Sequence, residues 1–347
     1  MDIYHCLSAR VKGWEDMEQI DIIITWVDNS DEKWRKEKQI WEHKTGRKEA
    51  NNRYREWGFL PYLFRSIEKY ASWVNQVYFV TCGHIPDFLN TNYSKLQLIS
   101  HEDFIPAQYL PTFNSNTIEM WLGFIPGLSE KFVYMNDDVY FMSPMKPDDF
   151  FVDGLPVDSP IETALMYDNY VDPFGKIRLN SISAINSCYN KREVIKKNWR
   201  KWYRLSYRRG LLNNLCLLPF HQFSDFKLWH NPQAYEKETW RQVHQALSHE
   251  VHITSNTKFR TETDMCQYVF RYWQLVTGNF YPKYRRGGYE KGITEKQIEE
   301  IKNIFHDRSC KMLCLNDIDE ECDFGELQIK LLSEFEKKFP EKSAFEK

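Results

Sequence analysis

The sequence predicts an α/β protein, a mostly parallel sheet flanked by helices with a helix-rich part inserted into it. β-branched and aromatic runs (Ile20 to Val27, Gln76 to Thr81, Leu96 to Ser100, Phe132 to Met135) alternate with helical patterns, as parallel sheets require. Three of these runs stop abruptly in polar residues, at Asp28, at Thr81 to His84 and at Asn136-Asp137-Asp138. In open α/β sheets, ligands sit beyond the carboxyl ends of the strands, so these ends are where chemistry is expected. The length, 347 residues, exceeds what one core usually organises.

In chain order, residues 1–19 read as an N-terminal extension. The run from Ile20 to Val27 is a strand, and Asp28-Asn29-Ser30-Asp31 is a turn able to cap a charged helix from Glu32 to His43. Leu60, Phe64, Ile67 and Ala71 recur at helical spacing, and Pro61 places the start of that helix near Leu60. Strands at 76–81 and 96–100 follow, then a helix from about Asn114 to Phe124. Phe132-Val133-Tyr134-Met135 is too short for a typical helix and ends in Asn136-Asp137-Asp138. This reads either as a buried strand delivering acids to a cleft or as a surface turn. The α/β core spans 20–160.

Residues 161–285 form the helix-rich part. Lys191 to Arg209 holds nine Lys or Arg against one Glu and reads as a single basic amphipathic helix. One reading is contact with an anionic membrane surface or anionic glycan; the pattern favours a solvated helix that packs its Trp stripe on the core. His230 to Tyr235 is expected to open a helical segment, and Thr257-Lys258-Phe259-Arg260 precedes Asp264 and a helix over 265–276. A C-terminal segment, 286–347, returns to the core with a strand near Lys311 to Leu315, then Asn316-Asp317, then a helix from Phe324 to Lys338.

Composition narrows the function. A net charge of only -3 gives no field for nucleic acid. Aromatic content of 16% suits faces that stack on sugars or bases. With neither G-x-G-x-x-G nor a Walker sequence, a bound diphosphate would be neutralised by metal and basic side chains. No run of about 18 apolar residues occurs, and residues 1–19 lack an apolar signal core, so a cytoplasmic protein is expected. The eight cysteines include no C-x-x-C pair and fit reduced thiols. Of His306, Cys310, Cys314 and Cys322, the first three would share a face on a helix and could hold zinc, but a strand over 311–315 breaks that spacing.

Several spaced blocks together resemble the Stealth family of capsular polysaccharide phosphotransferases, related to the catalytic part of N-acetylglucosamine-1-phosphotransferase. They are Asp21 to Asp28, Arg53 to Trp57, Leu110 to Glu119, Asn136-Asp137-Asp138, His230-x-Pro232, Lys258-Phe259-Arg260 and Leu315-Asn316-Asp317, in the family's order from Ile20 to Glu346. Asn29 stands where the family often has Gly, and Phe59-Leu60-Pro61-Tyr62 replaces the frequent Glu-Leu-Arg-Tyr.

The resemblance implies a Rossmann-like, glycosyltransferase-A-like fold and a nucleotide-sugar-binding core. It implies transfer of a sugar-1-phosphate from a nucleotide-diphosphate sugar to a hydroxyl of a capsule oligosaccharide, polysaccharide or lipid-linked acceptor, with release of a nucleoside monophosphate. Mg²⁺ or Mn²⁺ would neutralise the pyrophosphate, with Asp137, Asp138, Asn316 and Asp317 as candidate ligands and Asp138 favoured. His230 is the candidate base, Arg260 the cation for the phosphoryl oxygens, and Glu119 the acid that binds donor or orients His230. Asp28, Arg53, Arg55, Asn114, Asn116, Asn136 and Lys258 are candidate donor-binding residues, although Asn114 or Ser115 also suits helix capping. Peripheral contact with the inner membrane through Lys191–Arg209 and a homo-oligomer are compatible with the sequence. Two other classes remain, a metal-dependent glycosyltransferase that releases nucleoside diphosphate and a non-catalytic glycan-binding protein.

Overall fold

The computed structural model describes residues 19–47, 55–165, 173–284, 288–317 and 323–347. Strand β1 (Ile20–Thr25) is followed by a turn in which the Asp31 carboxylate accepts from the Trp34 amide at 2.7 Å, capping α1 (Glu32–Thr45). Helix α2 (Leu60–Tyr70) starts with Pro61 in its first turn, where a missing N–H costs nothing. Then come β2 (Val77–Thr81), β3 (Leu96–Ser100), α3 (Ser115–Trp121), β4 (Lys131–Asn136), β5 (Val139–Phe141), and the short pair β6 (Phe151–Val152) and β7 (Leu155–Asp158). The helix-rich part holds α4 (Phe174–Cys188), α5 (Lys191–Trp202), α6 (Arg209–Leu217), β8 (Gln233–Glu236), α7 (Lys237–Ala246), α8 (Ser248–Ser255), α9 (Tyr268–Thr277) and β9 (Tyr281–Pro282). The chain closes with β10 (Gly288–Ile293), α10 (Ile298–His306), β11 (Met312–Asp317) and α11 (Phe324–Lys338).

The central sheet has the order β3-β2-β1-β4-β8, with the first four strands parallel and β8 antiparallel to β4. Alternate side chains of β1 serve opposite faces. Ile22 and Ile24 join a core with Leu63 and Phe64 of α2 and Leu331 of α11, whereas Ile23 joins one with Trp240 of α7 and Phe270 of α9. Both faces are covered, so the strands read as near-continuous apolar runs rather than alternating ones. One acid interrupts β1. Asp21 is fully buried and accepts from the Asn75 side chain (2.8 Å) and the backbone amides of Gln76 (3.1 Å) and Ser129 (2.7 Å). A buried carboxylate with three donors is satisfied, and here it ties together the loops that enter β2 and β4.

The chain builds β1, β2 and β3 outward in one direction and then returns to place β4 on the other side of β1. That reversal is a topological switch point, which leaves a crevice at the carboxyl ends of β1 and β4. After β4 a two-residue turn, Asp137-Asp138, carries the chain into β5, which belongs to a second sheet of order β10-β11-β5.

Two sequence expectations need correction. The segment from His230 does not begin a helix: Gln233, Ala234 and Tyr235 are buried and pair antiparallel with β4 as β8, and helix starts only at Lys237. The exposed backbone edge of β4 outweighs helical propensity there. Lys191 to Arg209 is not one helix either. The α5 helix ends at Trp202, whose carbonyl is taken by the Asn214 side chain (2.9 Å) instead of by a further turn, and Arg208 sits at φ 55° before α6 begins. The packed-stripe reading holds for Val194, Ile195 and Trp202, which are buried, but not for Trp199, which is 55% exposed.

The described part of the zinc-like group is dispersed. His306 pairs with Glu334 (3.2 Å), the Cys310 thiol donates to the Met312 carbonyl, and Cys314 faces Asp138, while Cys322 lies outside the described residues. No disulfide joins the six described cysteines.

Helix α9 is locked to the small sheet by Arg271, which forms a two-pronged pair with Asp158 at 2.7 and 2.9 Å, both side chains being at most 2% exposed. Removing one partner of a buried pair leaves the other charge stranded. Arg271→Met is therefore expected to lower the unfolding free energy by about 3–5 kcal/mol in urea titrations, against less than about 1 kcal/mol for an exposed lysine substitution.

His101, just after β3, is buried, and burial foremost, then the nearby His84 charge, pushes its imidazole down to about 4. The folded state thus prefers the neutral ring. Its contribution to stability is present above about pH 6.5 and is lost as pH falls from there towards 4, for at most about 3 kcal/mol. In His101→Gln that part of the acid-side loss should vanish, read as a shallower stability-versus-pH slope across this window; identical slopes would refute the assignment.

Candidate active site

The cleft at the switch point has a volume of about 420 Å³. Register places Thr25, the last residue of β1, beside Asn136, the last of β4, so the two strand ends open side by side. The residues following them, Trp26-Val27 and Asp137-Asp138, line the cleft, as do Ser115 and Glu119 of α3, Arg55 to Trp57, His230, Arg260 and Leu315 to Asp317. Of the four residues expected to carry catalysis, all four therefore meet in one cavity, drawn from positions up to 141 apart in the chain.

The acid turn is the centre. The carbonyl of Asp138 accepts from the Leu315 amide at 2.9 Å, which fixes the turn against β11. The Asp138 Oδ2 faces His230 Nε2 at 3.7 Å and accepts from the Cys314 thiol at 3.4 Å, whereas its Oδ1 is buried and has no hydrogen-bond partner. His230 Nε2 also lies 3.2 Å from Asn136 Nδ2, so Asn136 and Asp138 meet the imidazole at the same nitrogen. Burial raises both acids. For Asp137, burial first, then the Asp138 and Glu56 charges, push the carboxyl up to about 8; for Asp138, the upward pull of burial is opposed by His230 and the Cys314 hydrogen bond. Crowded acids in a partly dry site favour a cation.

The donor set has two characters. Asp138, His230 and Cys314 offer ligand atoms within 4.8 Å of one another. Hard divalent cations prefer oxygen, which here means the unpartnered Asp138 Oδ1, Asp137 and the Asn316 side-chain oxygen, which shares the Cys314 thiol with Asp138. Asp317 also lines the cleft, and its Oδ2 accepts from Trp57 Nε1 at 3.1 Å and lies 3.4 Å from Arg55 Nε. It anchors the Arg55 loop, so Arg55 stands at the cleft with its guanidinium already paired.

Arg260 and Glu119 also line the cleft. Phe113 and Phe259 stack at 5.4 Å, and the Phe113 amide donates to the Lys258 carbonyl, so the 258–260 segment runs beside the start of α3. This brings Arg260 to Ser115, whose hydroxyl accepts from Nε (3.1 Å) and Nη2 (2.5 Å). Glu119 accepts from the Gln267 amide (2.9 Å) and the Tyr134 hydroxyl (3.4 Å); burial raises its carboxyl, against the Gln267 hydrogen bond and the Arg260 charge.

Several expected donor-binding residues are occupied inside the protein. Asn114 caps α3 and donates to Asp264 (2.7 Å) and Thr257 (2.8 Å), and Asn116 donates to the same Asp264 carboxylate (3.1 Å). Lys258 donates to the carbonyls of Tyr109 and Leu110. These three hold the wall that carries Arg260 and do not line the cleft. Asp28 accepts from the Ser30 amide and its own amide donates to His84, at the rim of β1 and β2 and outside the cleft lining. Arg53 lies outside the described residues.

Sequence reasoning weighed Cys314 only within the zinc-like group and missed its place beside Asp138, the role of Asp264 and the positioning role of Ser115. Cys314 was legible, because Cys314 and Asn316 must share a face of a strand whose end was already suspected. Locally Asp264 accepts only from Thr261 and Thr257, as a turn residue would; what makes it part of the wall is Asn114 and Asn116, about 150 positions away.

The family description "Stealth protein CR2, conserved region 2" matches residues 53–157. A capsular polysaccharide phosphotransferase, WcwK of Streptococcus pneumoniae, is 40% identical over 96% of this chain and 99% of its own length. The exopolysaccharide phosphotransferase cps2G of Lactiplantibacillus plantarum is 38% identical over 94% and 96%, and the receptor polysaccharide phosphotransferase WefC of Streptococcus gordonii 31% identical over 95% and 99%. Among solved structures, the galactosyltransferase LgtC aligns over 89% of this chain and 95% of its own at 10% identity with a TM-score of 0.36, a likeness too slight to carry an argument. With full-length identity at this level, the chain is a transferase and belongs to the Stealth family of polysaccharide phosphotransferases.

Proposed function

We propose that the cleft moves a sugar-1-phosphate from a nucleotide-diphosphate sugar to a hydroxyl of a capsule oligosaccharide, polysaccharide or lipid-linked acceptor, forming a phosphodiester and releasing a nucleoside monophosphate. The observation that carries this reading is the facing of Asp138 and His230 in one cavity with Arg260, in a chain so similar to capsular polysaccharide phosphotransferases. The enzyme would act in the cytoplasm at the inner face of the membrane; among the described residues no helix is long and apolar enough to cross it.

The acceptor oxygen attacks the phosphorus that bears the sugar, and the bridging bond to the nucleotide phosphate breaks. His230 takes the acceptor proton, with Asn136 and Asp138 holding its ring. Arg260, its fork held open by Ser115, faces the charge that spreads over the phosphoryl oxygens. Glu119 shares its cavity wall with Ser115 and keeps that wall in place through Gln267 and Tyr134. Asp138, Asp137 and Asn316 would hold Mg²⁺ or Mn²⁺, which when bound neutralises the donor diphosphate. The anomeric bond is never touched, so the donor's anomeric configuration is retained in the product.

Asp138→Asn and His230→Ala are each expected to lose at least about a hundredfold in turnover while keeping wild-type circular dichroism. Phosphorus NMR on the same reactions should show a new phosphodiester and a nucleoside monophosphate from a UDP- or CDP-sugar; release of nucleoside diphosphate would instead establish a glycosyltransferase. Ser115→Ala should cut kcat roughly tenfold by freeing the Arg260 fork. An unchanged kcat would remove Ser115 from the machinery.

A further inference from the structure

Twelve large hydrophobic side chains are exposed among the described residues, and six of them fall between Trp199 and Phe220. Leu205 is 88% exposed and Phe220 60%, while Leu212, Leu215 and Leu218 repeat at three-residue intervals along the outer side of α6 and just past its end. This is the reverse of an ordinary surface helix, which turns such a stripe inward. The outward stripe is not the result of a loosely placed helix. Asn214 is fully buried on the inner side and bonds to the Glu162 amide and to the carbonyls of Pro160 and Trp202, and the buried Lys191 ammonium donates to the Leu217 carbonyl. Gly210 sits so close to Ile161 that a Cβ there would come within 2.6 Å of its side chain. The helix is held firmly with its leucines facing out.

Charge identifies what covers them. Between Lys191 and Gln222 the only acid is Glu193, whereas Arg200, Arg204, Arg208 and Arg209 are all exposed beside the apolar face. The rest of the chain is acidic enough to bring the total to -3. We infer that α6, with Leu205 and the arginines that precede it, seats on an anionic lipid bilayer, leucines in the interface and arginines at the headgroups. A glycan would not seat aliphatic side chains in a row. A second copy of this chain packed through the same face would press arginine against arginine. An apolar face rimmed by basic residues is what binds anionic membrane surfaces. The inference sharpens the proposed location, on which it rests, by moving the contact from the basic helix α5, whose own apolar residues are largely buried, to α6.

Sedimentation of the full-length protein with phosphatidylcholine vesicles, with and without phosphatidylglycerol, tests it. Wild type should sediment with the anionic vesicles at low salt, and binding should fall at least about tenfold with neutral lipid or at about 0.5 M salt. Leu212→Ser with Leu215→Ser should weaken anionic-vesicle binding at least about tenfold at fixed low salt while circular dichroism and turnover on a soluble acceptor stay at wild-type values. Leu205→Ser, outside any α-helix, serves as a second variant if the pair fails to fold, and should weaken binding in the same direction. Wild type left in the supernatant with anionic vesicles, leucine variants that bind as well as wild type, or a wild-type dimer that the leucine variants dissociate would each overturn the inference. Loss of turnover on the soluble acceptor in wild type would count against the proposed chemistry instead.

Discussion

The hydrogen bond from the Leu315 amide to the Asp138 carbonyl joins the two sheets at the place where chemistry is expected. The central sheet ends at Asn136, and two residues later the chain is paired in a different sheet as β5. A turn with so little slack, pinned from outside by β11, holds Asp137 and Asp138 half-buried in the cleft lining. Their position therefore depends on two sheets at once, and only because β11 returns from the far end of the chain is the acid turn part of a cavity wall.

This constraint explains the electrostatics. Asp137 and Asp138 are adjacent, Glu56 is near, and burial raises both. Such an arrangement is costly in the absence of positive charge. Among the described residues, the two arginines that line the cleft are engaged by other partners: Arg55 pairs with Asp317 and Arg260 is held by Ser115. The strain of the acid cluster is thus left to be relieved by what binds, which is how a site favours a ligand that brings a cation with it.

The sheet was legible because its strands are buried on both faces and so stand out as unbroken apolar runs, and the ends of those runs showed where polar residues gather. Helix starts at Glu32 and Leu60 were legible from an Asp cap and a first-turn proline. The β8 strand was not, since Gln-Ala-Tyr-Glu has neither an apolar run nor a turn signal and pairs only because β4 offers it an edge. For the site, the bringing together of Asp138, Glu119, His230 and Arg260 could be anticipated from the spaced blocks. Asn114, Asn116 and Lys258 look like ligand-binding residues for the same reason that they look like capping and bracing residues. Amides and ammonium groups serve either use, and only the position of Asp264 and of the Tyr109 and Leu110 carbonyls decides between them.

The helix-rich part ties these levels together. It sends β8 into the central sheet, so His230, three residues before that strand, is carried to the acid turn by the pairing of β4 with β8. It sends the 258–260 segment alongside α3, which delivers Arg260. Its outward side, α6, leaves a leucine stripe unburied although the same segment buries Trp202, Tyr207 and Asn214 completely or nearly so. Burying those residues fixes the helix, and a helix fixed in this way can turn its remaining leucines only outward. The exposed stripe follows from the packing that positions this part of the chain, and a surface so held keeps its shape whether or not a partner covers it.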